Sequence, residues 1–337
     1  MKVKHPMKPR IAIIPGDPSG IGPELIAKLL QETDVKEAAN ILLVGDAHIW
    51  KQGAKQARKD VDLNTIPRSE ISSFEGVAHL NLQTCEPEEI EVANICLASG
   101  RSSLRNLESA LDLAKSGLID GILFAPFNKA ALTLAGMEEQ DEHQFIAKYI
   151  GFSGHHSEIN VLDDIMTTRV TSHISLGEVA RNINELSISR AIDLAAVTLK
   201  RFGIEYPHIA VAALNPHAGD NGKFGREEID VIGPVIQNYQ QSRMKVTGPW
   251  PSDTVFLKAQ NREVDAVVTM YHDQGQIAMK LMGFERGVTV AGGLPIPIVT
   301  PAHGTAFDIA GQGVASVSAT LQAFRLLLRT RHVNAVI

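Results

Sequence analysis

Three histidines each stand where a short stretch that reads as a strand stops, and that arrangement limits the folds open to this chain. His173 follows Thr168-Arg169-Val170-Thr171-Ser172, His217 follows the run from Ile209 to Leu214, and His272 follows Val264 to Thr269. They are far apart in sequence. A parallel sheet gathers its strand ends on one edge, which is where open α/β sheets collect ligands. Three imidazole nitrogens with open positions then suit a divalent transition ion. Three unrelated polar caps would explain any one of these histidines alone. That account leaves unexplained the similar settings Asn215-Pro216-His217-Ala218-Gly219 and Tyr271-His272-Asp273-Gln274-Gly275. The metal is the favoured reading.

The rest of the chain alternates in the same way. A strand Ile11–Ile14 runs through Pro15-Gly16-Asp17-Pro18-Ser19-Gly20-Ile21-Gly22-Pro23-Glu24 into an amphipathic helix, with Pro23 near its first position. The glycines at 16, 20 and 22 do not fit the GxGxxG dinucleotide spacing, which argues against a Rossmann cofactor turn. Further strands are expected at 40–44, 119–125, 158–162 and 167–172, and helices at 102–115, 189–201, 227–241, 276–282 and 317–328. Residues 52–97 read as short edge strands and loops, and 136–143 as an acidic loop. The alternation predicts an α/β fold with a mainly parallel sheet. With 337 residues and no low-complexity linker, two interleaved α/β domains are expected: 1–135 with 303–337, and 136–302.

Composition narrows the function. A net charge of −6 with no basic run argues against nucleic-acid partners. Cys85 and Cys96 lie in neither CxxC nor metal-ligand spacing, a reduced, cytoplasmic usage that gives neither a role. No apolar run approaches the length of a membrane span, and no apolar segment follows the basic N-terminal residues as in a signal peptide.

Two motifs carry a resemblance. Pro15-Gly16-Asp17 with Gly20-Ile21-Gly22-Pro23-Glu24, taken with His303-Gly304-Thr305-Ala306 and Asp308-Ile309-Ala310-Gly311, resembles the isocitrate and isopropylmalate dehydrogenase superfamily. Adding Asn215–Gly219 and Tyr271–Gly275, the chain is similar over nearly its whole length to the 4-hydroxythreonine-4-phosphate dehydrogenase family of vitamin B6 synthesis. The resemblance implies an active-site cleft between the two domains, a homodimer whose metal sites are built from both subunits, and NAD or NADP as oxidant. It makes His173, His217 and His272 ligands of one divalent ion, with Zn, Mn, Co or Mg conceivable. It gives Lys280 a contact with substrate and places Asp253 in the family's Asp-Thr pair; read alone, Asp253 is a helix cap or a carboxylate near the metal. Gly304, Thr305 and Asp308 would contact the cofactor, whereas His303 is as well read as structural. His155-His156 receives no role.

Three departures bear on the substrate. The family's phosphate loop Gly-His-Thr-Glu has as its nearest match Glu142-His143-Gln144-Phe145, so His143 and Gln144 are the substrate-contact candidates there. Thr289 stands in the strand where the family carries Asn. After Gly293-Leu294-Pro295 the family places an Arg, and this chain continues Ile296-Pro297. An apolar residue cannot replace a guanidinium fork for carboxylate or phosphate. The expected reaction is therefore oxidation of a secondary alcohol beside a carboxylate, with decarboxylation to follow. The alternatives are a same-fold dehydrogenase for an unphosphorylated cis-dihydrodiol carboxylate, or a metal-dependent hydrolase or lyase without NAD.

Overall fold

The computed structural model describes residues 8–240 and 244–330. Among these, the strands in chain order are β1 Arg10–Ile14, β2 Asn40–Val44, β3 Val77–Leu80, β4 Gly121–Phe124, β5 Ser157–Leu162 and β6 Ile165–Arg169. They continue as β7 His208–Ala212, β8 Lys245–Trp250, β9 Ala266–Thr269, β10 Val288–Gly292 and β11 Ile298–Pro301. The contacts divide the chain into two units, one running to Ser153 and resuming at Pro295–Leu328, the other covering Gly154–Leu294. The changes of unit fall at 153/154 and 294/295, where the sequence suggested 135/136 and 302/303. Gln241, residues 1–7 and residues 331–337 of the expected elements lie outside the described residues.

The first unit holds the parallel order β3-β2-β1-β4-β11, with Ile11 opposite Ile41 and Leu123 opposite Val299. Ile11–Ile14 and Ile41–Val44 are buried without alternation, as strands covered on both faces must be. Helices Gly22–Leu29, Ala47–Ala57, Leu97–Lys115 and Ser318–Leu328 belong to this unit. Gly16, at φ +69°, closes the turn after β1: a Cβ there would lie 2.3 Å from the Ala125 carbonyl oxygen. Close approach to the end of β4 requires glycine here, a reason unconnected with a pyrophosphate. In the stretch expected to hold only edge strands and loops, β3 is the edge strand, but helix Ala47–Ala57 also runs into it.

The second unit holds β10-β5-β6-β9-β7-β8. β6–β9, β9–β7 and β7–β8 are parallel, while β5 pairs antiparallel with both β6 and β10. The two residues Asp163-Asp164 join β5 to β6, and so short a connection permits only an antiparallel pair. The parallel half carries the histidines. The helix expected at 227–241 starts as a single π turn, Glu228–Ile232, and becomes α-helical over Gly233–Tyr239. Pro234, with no N–H to donate, sits at the junction. Among the described residues, no helix is long and apolar enough to cross a membrane.

Candidate functional site

Three adjacent parallel strands, β6-β9-β7, end on one edge, and side chains tie those ends together. Past the strands proper, Val170 N–H donates to Thr269 O at 2.8 Å and Thr171 N–H to Met270 O at 3.1 Å. The Thr171 hydroxyl adds a bond to Met270 O at 2.7 Å. Gln274 makes the second tie: its Oε1 accepts from Met270 N–H at 2.7 Å, and its Nε2 donates to Ala213 O at 2.8 Å. One amide side chain thus fixes the end of β9 against the end of β7. The sequence placed Gln274 in the motif without showing this task.

His173 and His272 face one another above these ties, with ring centroids 5.7 Å apart and planes tilted by 40°. Both line a cavity of about 260 Å³ that also involves Thr171, Leu176 and Tyr271. His272 opens helix His272–Gly283, four residues earlier than the sequence suggested. Its Nδ1 lies 2.7 Å from Asp273 Oδ1. A carboxylate can only accept there, so Nδ1 carries the proton and Nε2 keeps its lone pair for a ligand.

His173 has φ 53° and His217 φ 54°, left-handed backbone that costs an L-residue about 1–2 kcal/mol. Strain of this kind persists where the surroundings over-determine it, and it gathers at functional sites. Around His217 it extends to a left-handed turn of five residues, His217-Ala218-Gly219-Asp220-Asn221, of which one is glycine. Glu228 holds the turn. Its Oε1 accepts from the N–H groups of Leu214 (2.9 Å) and Asn215 (2.7 Å), and its Oε2 from Asn215 Nδ2 (3.0 Å). Nothing in the sequence pointed to Glu228, because the tie spans thirteen residues and a change of element. The His217 ring lies 6.3 Å from that of Phe224 and does not line the cavity of the other two. The structure therefore pairs His173 with His272 and sets His217 on the neighbouring strand end.

The other candidates of this unit sit as follows. Lys280 is exposed on the helix that His272 opens. Asp253 is exposed one residue ahead of Thr254, which takes the N-cap position of helix Val255–Gln260 without a side-chain cap bond. Thr289 pairs in register with Asn160, and its hydroxyl reaches Asn160 Oδ1 at 3.5 Å.

In the first unit, His143 and Gln144 are not in a loop. They form the first turn of helix Glu142–Ile150, which Asp141 caps by accepting from Gln144 N–H at 2.9 Å. The acidic run hid an aspartate cap and the apolar spacing behind it. His143 is buried and Gln144 exposed. The loop carrying Gly304, Thr305 and Asp308 is fixed to the N-terminal motif: Ile21 N–H donates to Thr305 O at 3.1 Å, and a Cβ on Gly20 would lie 2.9 Å from Thr305 Cβ. Gly304 and Asp308 are exposed, and a Cβ on Gly304 would meet nothing within 4 Å. Burial lowers the pKa of His303. The N-terminal motif and the loop from His303 to Gly311 thus form one surface, open above Gly304.

Asp17, in the turn after β1, is fully buried and accepts from Ser19 N–H at 2.8 Å. Burial pushes its carboxyl up to about 6. A folded pKa above the unfolded one makes the unfolded chain the better acid. This group's contribution is thus fully present below about pH 4 and lost as pH rises through about 6, on the order of 2–3 kcal/mol. Urea unfolding of the wild type at pH 4.5 and pH 7 should register that loss, and Asp17→Asn should flatten this part of the profile. An unchanged profile in the variant would contradict the assignment.

Comparison with known proteins follows the same lines. Residues 37–327 match the family described as pyridoxal phosphate biosynthetic protein PdxA. A Pseudomonas aeruginosa protein provisionally named 4-hydroxythreonine-4-phosphate dehydrogenase 2 is 49% identical over 328 residues, covering 96% of this chain and 97% of the relative. The D-threonate 4-phosphate dehydrogenase of Salmonella typhimurium is 36% identical over 321 residues, covering 95% and 98%. The crystal structure of 4-hydroxythreonine-4-phosphate dehydrogenase from Klebsiella pneumoniae superposes with a TM-score of 0.86 at 33% identity, covering 97% of this chain and all of that one.

Proposed function

This chain belongs to the PdxA family, and from that premise we propose an NAD-dependent, divalent-metal-dependent dehydrogenase that oxidises a secondary alcohol beside a carboxylate-bearing carbon. It is an oxidoreductase acting on a CH–OH group, with a small molecule as substrate. The observation that carries the reading is the pair of imidazoles, His173 and His272, held over one cavity by strand ends that Thr171 and Gln274 lock together.

His173 and His272 suit a transition ion, being imidazole donors over one cavity with the second oriented by Asp273, while His217 stands apart on the neighbouring strand end. Held by His173, His217 and His272, the ion would supply Lewis-acid polarisation of the substrate's hydroxyl oxygen. NAD, or NADP, held by Gly304, Thr305 and Asp308, would supply the acceptor for the hydride of the alcohol carbon. If a β-keto acid results, its carbon–carbon bond to the carboxylate would break, CO2 would depart, and the bonding pair would form an enolate that then takes a proton on carbon. Lys280 would orient the substrate carboxylate through its ammonium, and Asp253 would accept a proton near the metal. His143, Gln144 and Thr289 would face substrate, and Gly304, Thr305 and Asp308 the cofactor. The reading places the enzyme in the cytoplasm.

A homodimer belongs to the same proposal. The apolar residues beside the histidines are open to solvent in a single chain: Leu176 is 72% exposed, Ile277 59% and Leu281 84%. Ile277 and Leu281 lie one turn apart on the helix that His272 opens. A second copy covering this face would complete ligand sets that one chain leaves apart. The double variant Ile277→Glu with Leu281→Glu should sediment as a folded monomer and lose about 100-fold or more in kcat/KM. A monomer with full activity would contradict the shared site.

For the substrate, 4-hydroxythreonine 4-phosphate is the first reading. The second is an unphosphorylated dihydrodiol carboxylate, favoured by Ile296 standing where the family has Arg. NADH formation on 4-hydroxythreonine 4-phosphate, D-threonate 4-phosphate and cis-dihydrodiol carboxylates separates them. Turnover of 4-hydroxythreonine 4-phosphate supports the first, turnover of the diols alone supports the second, and turnover of D-threonate 4-phosphate alone, or silence on all, contradicts both.

A further inference from the structure

In the unit that contains β1–β4, the ends of β2 and β3 bring Asp46, His48 and Cys85 together, with one ligand atom from each within 4.8 Å of the others. Cys85 Sγ lies 3.4 Å from Asp46 Oδ2 and 3.8 Å from His48 Nε2. Zinc bonds of about 2.0–2.3 Å to oxygen, nitrogen and sulfur set tetrahedral ligand atoms roughly 3.3–3.8 Å apart. Both distances from the sulfur fall in that range, and the third pair, Asp46 with His48, lies within 4.8 Å. Asp46 is 1% exposed, and its carboxylate is oriented by Thr84 N–H (2.8 Å), the Thr84 hydroxyl (2.9 Å) and Cys85 N–H (3.0 Å). Outer contacts of this kind hold ligand carboxylates in metal sites. They account for the loop without the imidazole and the thiol, which converge on the same point. None of the three residues has a part in the proposed dehydrogenation.

We propose that Asp46, His48 and Cys85 form a separate site for a borderline-soft divalent ion of the zinc class, with one position left for water. Binding breaks the Cys85 S–H bond, forms the sulfur–metal bond and releases the proton to buffer, with no change of oxidation state. Burial and the Asp46 charge push the Cys85 thiol up to about 12, so without metal it stays a neutral S–H and a poor nucleophile. A bound cation reverses that balance. The ion would pin the loop after β3 to the start of helix Ala47–Ala57.

Cobalt(II) titration of the metal-free protein tests this apart from the all-histidine site, because only a thiolate ligand gives a sulfur-to-cobalt charge-transfer band in the near ultraviolet. The band should appear in wild type, vanish in Cys85→Ser, need roughly ten-fold more cobalt in His48→Ala, and persist in His173→Ala and Cys96→Ser. As a second readout, metal analysis after zinc loading should find one more ion bound per chain in wild type than in Cys85→Ser, and the same number in Cys96→Ser as in wild type. No band in wild type, a band that survives Cys85→Ser, or equal zinc in wild type and Cys85→Ser would overturn the site.

Discussion

His272→Ala is expected to lower kcat/KM for alcohol oxidation by about 1,000-fold or more, because Lewis-acid polarisation of the hydroxyl is lost with the ion. The fold should survive. His272 is partly exposed, with 39% of its side chain accessible, and it begins a helix, so its removal opens no core cavity. Asp273 remains in the first helical turn, where the helix dipole favours a carboxylate. The melting temperature should therefore move by only a few degrees while bound metal falls. Asp273→Asn tests the layer behind: with the Nδ1 partner weakened, metal affinity or activity should fall about 10–100-fold. Wild-type activity in His272→Ala, measured by NADH formation after metal loading, would contradict the role given to this residue.

Glu228→Ala is expected to damage stability and activity together. Its carboxylate accepts from two backbone N–H groups and one side-chain amide, all on the segment that leads into the left-handed turn. Asn215 Nδ2 keeps Glu227 Oε2 as an acceptor, and leaving the two backbone donors unpaired costs about 1–3 kcal/mol each, so a total on the order of 2–6 kcal/mol is expected. The strained residues His217 to Asn221 would then relax toward ordinary backbone, which turns the imidazole away. Glu228→Gln keeps one oxygen for the N–H groups and should cost roughly half as much. Urea unfolding and metal-dependent activity read the two effects. Full stability and full activity in Glu228→Ala would show that the turn needs no such support.

The sequence disclosed what local periodicity and apolar runs can disclose. Buried strands such as Ile11–Ile14 and Ala266–Thr269 announced themselves by their hydrophobicity, and His217 and His272 by standing where such runs stop. The family resemblance added the order of the motifs. What stayed hidden depends on pairing between distant segments. The Glu228 anchor, the tie from Gln274 to Ala213, and the meeting of Asp46 with Cys85 all need the sheet order, which no spacing in the chain encodes. The left-handed turn at His217 was hidden for a different reason: four of its five residues are not glycine, so composition gives no sign of positive φ. His143 was read as part of a loop because acidic residues masked the Asp141 cap. The strand at 158–162 was expected, and only its antiparallel pairing went unread, because its hairpin is just Asp163-Asp164, without glycine.

The most direct test of the whole account is NADH formation by protein stripped with a chelator and then reloaded with one divalent ion at a time. 4-Hydroxythreonine 4-phosphate, D-threonate 4-phosphate and an unphosphorylated dihydrodiol carboxylate would serve as substrates. The account predicts no turnover of any substrate by stripped protein. It predicts recovery with a transition ion on at least one of the three, and no recovery in the His173→Ala, His217→Ala or His272→Ala variants. Equal turnover with and without metal, or recovery that ignores the three histidines, would contradict it.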